Sequence, residues 1–98
     1  MIRVKLPYHL RNLARVASEI QVEVTGAATI DDLISAIETR YPMLKGTILE
    51  HDTKKRRSFV RFFACGEDYS MSDYSTALPE EVLSGREPFL IVGAIAGG

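Results

Sequence analysis

Near the end of the chain, Phe89-Leu90-Ile91-Val92 form an unbroken apolar run. A strand that is apolar on both faces belongs in the middle of a sheet, covered by a helix on one face and partly covered on the other. The rest of the chain has to supply that cover. Ile2, Val4 and Leu6 alternate with Arg3 and Lys5, which reads as a strand with one buried face. Pro7 ends it, because proline has no N–H to give to a ladder. Ile20, Val22 and Val24 alternate with Gln21 and Glu23 in a second strand, closed by Gly26. These two strands are close enough in sequence to pair antiparallel. Residues 8–18 fit either a helix, through Leu10, Leu13 and Val16, or a long hairpin loop.

The cover comes from the next segment. Ile30, Leu33, Ile34, Ile37 and Tyr41 recur at helical spacing and define one apolar face. Thr29 suits the N-cap, Asp31 and Asp32 suit the positive end of the helix dipole, and Pro42 stops the helix. Leu44, Ile48 and Leu49 predict a short second helix before the polar stretch from His51 to Ser58. Phe59 to Ala64 predicts a strand, Cys65-Gly66-Glu67-Asp68 a turn, and Tyr69 to Met71 a brief returning strand. Residues 72–87 predict an irregular connection with one helical turn. The order is strand, strand, helix, strand, short strand, strand. It describes an α+β domain in which one main helix crosses a mixed sheet of four to five strands, the helix serving as the right-handed crossover of a parallel pair.

Composition narrows the function classes. With 98 residues, of which 46% are hydrophobic, the chain builds a core without staples. A net charge of −1 argues against general nucleic-acid binding. One cysteine, Cys65, permits no internal disulfide and fits a reducing cytosol. His9, His51 and Cys65 lack metal-ligand spacing, so no metal is expected. The N-terminus has no signal-like apolar core, and the longest apolar run, Phe89 to Ala96, is far short of the roughly 20 residues of a membrane span. A cytoplasmic protein with no membrane partner is expected.

The chain ends Gly93-Ala94-Ile95-Ala96-Gly97-Gly98. Glycine makes up roughly 7% of ordinary sequences, so a terminal pair is unusual. Such an end enters a narrow site as bare backbone, since it carries no Cβ to clash. It also matches the frayed tail common at termini. The expected organisation is a body over residues 1–92 and a flexible tail over 93–98.

Taken with the strand order, this tail resembles the MoaD/ThiS family of sulfur carrier proteins, which have the ubiquitin-like β-grasp fold. The resemblance covers almost the whole chain. It is carried by the Phe59-Val60 strand, the Gly66-Glu67-Asp68 turn, Gly85 before the last strand and the ending Ala94 to Gly98. Within the family the layout is closest to CysO-type carriers of thiocarboxylate-dependent cysteine synthesis. That narrower match rests on Pro7 with Leu10-Arg11, Ala28-Thr29 opening the helix, Glu38 with Tyr41 at its end, and the basic stretch before Phe59. The family often has proline before its small-residue tail; here that position is Gly93, which implies a looser tail.

The resemblance implies that the Gly98 carboxylate is adenylated by an enzyme resembling ubiquitin-activating adenylyltransferases, and that sulfur then displaces AMP to leave a thiocarboxylate. A sulfur-accepting synthase consumes it. The chain itself would be no enzyme and would bind no cofactor, ATP being used by the activating partner. Gly97, Ala96, Ile95 and Ala94 would be the recognised tail, and Arg61 and Phe63 a docking face on the sheet. The final acceptor stays open among cysteine, molybdopterin, thiazole and a thiolated RNA base. So does a second class of function, a ubiquitin-like modifier or interaction module whose tail forms an isopeptide bond or is not activated.

The remaining candidates read as structure. Cys65 is expected as a partly buried structural thiol, Lys54-Lys55-Arg56-Arg57 as a solvated loop, and His9 and His51 as surface residues. Phe62, Phe63 and Phe89 are expected as core more than as a stacking platform, although one face of their sheet can remain an apolar docking patch.

Overall fold

In the computed structural model, which describes residues 1–25, 28–50, 53 and 55–93, the last apolar run does take the centre of a sheet. Strand β5 (Phe89–Gly93) lies between β1 (Ile2–Lys5) and β3 (Val60–Ala64). Strand β2 (Glu19–Val22) flanks β1 and β4 (Glu67–Asp68) flanks β3, giving the order β2-β1-β5-β3-β4. β1 runs antiparallel to β2, with Val4 opposite Ile20, and parallel to β5, with Val4 opposite Phe89. β3 is antiparallel to β5 over Val60–Gly93, Arg61–Val92, Phe62–Ile91 and Phe63–Leu90.

Helix α2 (Ile30–Arg40) covers one sheet face. Thr29 caps it in a reciprocal box: its hydroxyl accepts from the Asp32 N–H at 3.2 Å, while its own N–H donates to Asp32 Oδ2 at 3.0 Å. Ile30, Leu33, Ile34 and Ile37 are buried against Ile2, Val4, Phe62, Phe89 and Ile91 in one core. Within it the Phe62 and Phe89 rings meet at 5.6 Å, tilted by 50°.

Residues 8–18 resolve as a helix, α1 (Tyr8–Ala14), rather than a long loop. Its buried stripe is Leu10 and Ala14; Leu13, the middle residue of the expected face, is exposed. The second helix expected around Leu44 to Leu49 is only a 3-10 turn, Pro42–Leu44. Ile48 and Leu49 are buried as expected, but their backbone turns back, with Leu49 bridging Arg56. The returning strand also comes earlier than Tyr69. Ala64 pairs with Glu67, so the turn is the two residues Cys65 and Gly66, both at positive φ (51° and 78°). That is the backbone twist a tight hairpin favours, and Gly66 adopts it freely. Phe59, expected to open β3, lies in the turn before it and is exposed. The helical turn expected between residues 72 and 87 is α3 (Glu80–Leu83).

Gly93, assigned to the tail from the sequence, is the last residue of β5 and pairs with Val60. Gly26, expected to close β2, lies outside the described residues.

Candidate functional site

β5 delivers the chain to its terminal residues from the middle of the sheet. Gly98, Gly97, Ala96, Ile95 and Ala94 lie outside the described residues, so what the structure defines is the root of the terminal segment and the surface around it.

α2 covers one sheet face, leaving the other open. Residues that alternate with the core point there: Arg3 and Lys5 from β1, Arg61 and Phe63 from β3, Leu90 and Val92 from β5. Register places Glu19, Lys5, Leu90, Phe63 and Asp68 in one row across the five strands, with Arg61 and Val92 paired in the next. Arg61 is exposed and Phe63 half-buried. Of the three phenylalanines expected as core, Phe62 and Phe89 are fully buried, whereas Phe63 belongs to this open face.

The charges on the face are partly tethered. Arg3 Nε donates to Glu19 Oε1 at 2.9 Å, and its fork reaches the Gly85 carbonyl at 3.1 Å. The hydrogen bond from Arg3 is also the main influence holding the Glu19 carboxyl below its usual range. Asp68 is held low as well, first by the Ser70 hydroxyl and backbone N–H, the latter at 2.8 Å, and then by the fields of Arg61 and Arg56. Arg61 forms no ion pair among the described residues.

Beside this face, at the root of the terminal segment, is a groove of about 480 Å³ lined by Lys5, Leu6, the start of α1 (Pro7, Tyr8, His9) and the end of β5 (Leu90 to Gly93). Its walls are mostly apolar. Tyr8 and Val92 are exposed beside it. The sequence reading missed this groove. Leu90 and Val92 alternate with buried Phe89 and Ile91, which is a usable signal inside an apolar run; that α1 starts beside the end of β5 is a tertiary fact with no local trace.

The remaining candidates divide. Cys65 is exposed, not partly buried, because it sits in the two-residue turn between β3 and β4. Desolvation and then the carboxylates of Glu81, Glu87 and Glu67 push its thiol up, away from the reactive thiolate. His9 is exposed, as expected; His51 and Lys54 lie outside the described residues. The basic run is not a solvated loop throughout. Arg56 Nε donates to the Ser70 carbonyl at 2.9 Å and Arg57 Nε to the Gly46 carbonyl at 2.6 Å, while Lys55 stays exposed. Among the described residues no group of three or more His, Cys, Asp or Glu side chains could hold a metal ion, and no helix is long and apolar enough to cross a membrane.

A central β5 parallel to β1, an antiparallel β1–β2 pair and one helix crossing the sheet define the ubiquitin-like β-grasp fold. Among solved structures, the chain is similar to CysO in the Amycolatopsis orientalis BexX/CysO complex, with a TM-score of 0.76, 19% identity and full coverage of both chains. It is similar to Mycobacterium tuberculosis CysO, with a TM-score of 0.75 and 22% identity over 97% of this chain and 100% of that one. SAMP1 from Haloferax volcanii matches with a TM-score of 0.75 and 21% identity over 98% and 97% of the two chains. At this level of identity the likeness establishes the fold. No protein-family model and no curated protein matches the sequence.

Proposed function

We propose that this chain is a sulfur carrier: a body of about residues 1–93, and a terminal segment whose Gly98 carboxylate is activated and then loaded with sulfur. The observation that carries the reading is the pairing of a full-length structural likeness to CysO with a Gly97-Gly98 end continuing from the central strand.

The chemistry follows from the carboxylate. It is a poor acyl donor, because its leaving group would be oxide. A carboxylate oxygen of Gly98 attacks the α-phosphorus of ATP held by an activating enzyme, and pyrophosphate leaves. Bisulfide then adds to the acyl carbon and AMP departs, leaving the thiocarboxylate directly. Where a partner's persulfide is the nucleophile, the acyl disulfide it forms is cleaved by a second thiol, which ends in a disulfide with the donor as the thiocarboxylate leaves. A synthase draws on that sulfur; cysteine and molybdopterin formation are candidate pathways. Gly97, Ala96, Ile95 and Ala94 enter the partner as extended backbone, with Ala94, Ile95 and Ala96 giving a modest apolar grip, a mode in which main-chain contacts dominate. One structural relative is a complex of CysO with another protein, BexX, which supports a partner-handled role here. The body docks through Arg61, Phe63 and the apolar groove beside them.

A second reading has its own support. SAMP1 is a small archaeal modifier protein, and both fates begin from the same adenylate. In the modifier reading a lysine amine displaces AMP and an isopeptide bond forms.

The deciding experiment incubates the intact chain with an activating enzyme, ATP and a sulfur source, then measures intact mass. A gain equal to the replacement of one oxygen by sulfur supports the carrier. Attachment to lysine of another protein supports the modifier, and an unchanged mass overturns both. In the same assay Arg61→Glu is expected to slow adenylation about tenfold at low salt, since reversing a rim charge acts on encounter. An unchanged rate would remove Arg61 from the docking face.

A further inference from the structure

Gly93 is the last paired residue of β5, and its φ is not in the left-handed region that the chain's positive-φ glycines occupy. Glycine is therefore not needed there for backbone conformation. What it supplies is room. A Cβ on residue 93 would lie 3.3 Å from Pro7 Cβ and 3.3 Å from His9 Cε1, with His9 Nδ1 at 3.7 Å. Carbon pairs prefer about 3.5–4.0 Å, so both contacts would be tight.

Neither neighbour yields freely. The Pro7 ring is rigid, and its carbonyl accepts from the N–H groups of Leu10 and Arg11 at 3.0 Å each, starting α1. α1 is anchored in turn by buried Leu10 and Ala14. Rotation of the exposed His9 ring relieves one contact and leaves the other. A side chain on residue 93 would therefore have to press the strand end and the start of α1 apart by a few tenths of an ångström.

We propose that Pro7 and His9 form a stop against which Gly93 is seated, so that His9 and Gly93 are positioning residues for the presentation of Gly98. This rests on the carrier reading for its functional consequence. An activating enzyme must hold the body and the terminal carboxylate together. The six residues from Gly93 to Gly98 span about 20 Å when extended. Where that span starts, and in which direction, is decided at the stop. A side chain on residue 93 moves the root away from α1, so body and carboxylate no longer reach their sites in one pose.

The test has an arm that needs no enzyme. In the isolated protein a nuclear Overhauser contact between His9 Hε1 and the Gly93 α-protons is expected; its absence overturns the stop. The second arm measures ATP–pyrophosphate exchange with the activating enzyme for wild type, Gly93→Ala, His9→Ala and the double variant. Gly93→Ala is expected to raise KM for the carrier about tenfold with kcat within about twofold, a smaller effect than the hundredfold that a full ångström of misplacement at the reacting atoms costs. His9→Ala alone raises KM about twofold to threefold, and the double variant recovers part of the Gly93→Ala loss, because the His9 contact is relieved while the Pro7 Cβ contact at 3.3 Å stays. A folded Gly93→Ala with the wild-type KM, or a double variant no better than Gly93→Ala, overturns the positioning role. If Gly93→Ala does not fold, His9→Ala decides, and a wild-type KM there is negative. Failure of wild type to be adenylated at all defeats the carrier reading, and the positioning role with it, whatever the nuclear Overhauser contact shows.

Discussion

The Arg56 guanidinium donates to the carbonyls of Ser70, Val60 and Arg57, and its backbone N–H donates to the Tyr74 hydroxyl. One side chain thus ties the strand end at Val60 to the segment after β4. In sequence it sits inside Lys54-Lys55-Arg56-Arg57, where charge density alone signals a solvated loop. Which arginine of a run finds carbonyls to bond is decided by what the fold brings beside it, and no local pattern records that. Hydrogen bonds to a charged group contribute about 1.5–3 kcal/mol, and part-buried carbonyls left unpaired add to the loss. Arg56→Ala is expected to cost about 2 kcal/mol, while Lys55→Ala, an exposed neighbour, stays within about 0.5 kcal/mol. Urea unfolding midpoints of the two variants check this, provided the m-values match wild type. Equal midpoints would mean that the Arg56 bonds do not contribute.

At the scale of elements, α2 shows why periodicity was informative. Its buried residues recur every three or four positions, its cap is a Thr with Asp three residues on, and Pro42 follows it, so pattern and start signal agree. The structure adds what the sequence hides. The Ile30 and Asp31 N–H groups donate to the carbonyls of Thr76 and Tyr74 at 3.1 and 2.9 Å, and Thr29 bridges Ala77. A segment that reads as irregular thus satisfies the first turn of the helix. Thr29→Ala is expected to cost about 1 kcal/mol, the usual value of a lost cap. Ile34→Ala is expected to cost about 2–5 kcal/mol, as a cavity in a closed core. An Ile34→Ala loss no larger than the Thr29→Ala loss would contradict the packing. Where the sequence misled, burial was right and the backbone wrong. Leu44 and Ile48 are four apart and both buried, as in a helix, yet Gly46 between them takes φ 81° and turns the chain instead. β4, only two residues long, is too short to carry any period.

For the molecule as a whole, the sheet order connects fold to chemistry. A terminal segment that follows an edge strand leaves from the rim of the sheet; one that follows β5 leaves from its middle, beside the open face and the apolar groove. The glycine pair stands out locally in the sequence, whereas the approach of Pro7 and His9 to Gly93 does not, because they meet only through the parallel pairing of β1 with β5. The buried core is assembled from residues no later than Ile91 among those described, which separates stability from function. Deleting Gly98 is therefore expected to leave the melting temperature unchanged while abolishing adenylation and sulfur loading. A C-terminal tag, which converts the reacting carboxylate to an amide, is expected to do the same. Gly97→Ala sits between these extremes. It keeps the carboxylate but adds a Cβ next to the reacting carbonyl, where a misplacement of about 1 Å costs on the order of a hundredfold. Thermal melts and ATP–pyrophosphate exchange on wild type and the three variants separate the two properties. Normal exchange by the Gly98 deletion would show that the activating enzyme does not act on this terminus. The central strand would then deliver a tail with no acyl chemistry, and the conserved melting temperature would leave only an interaction module on a β-grasp body.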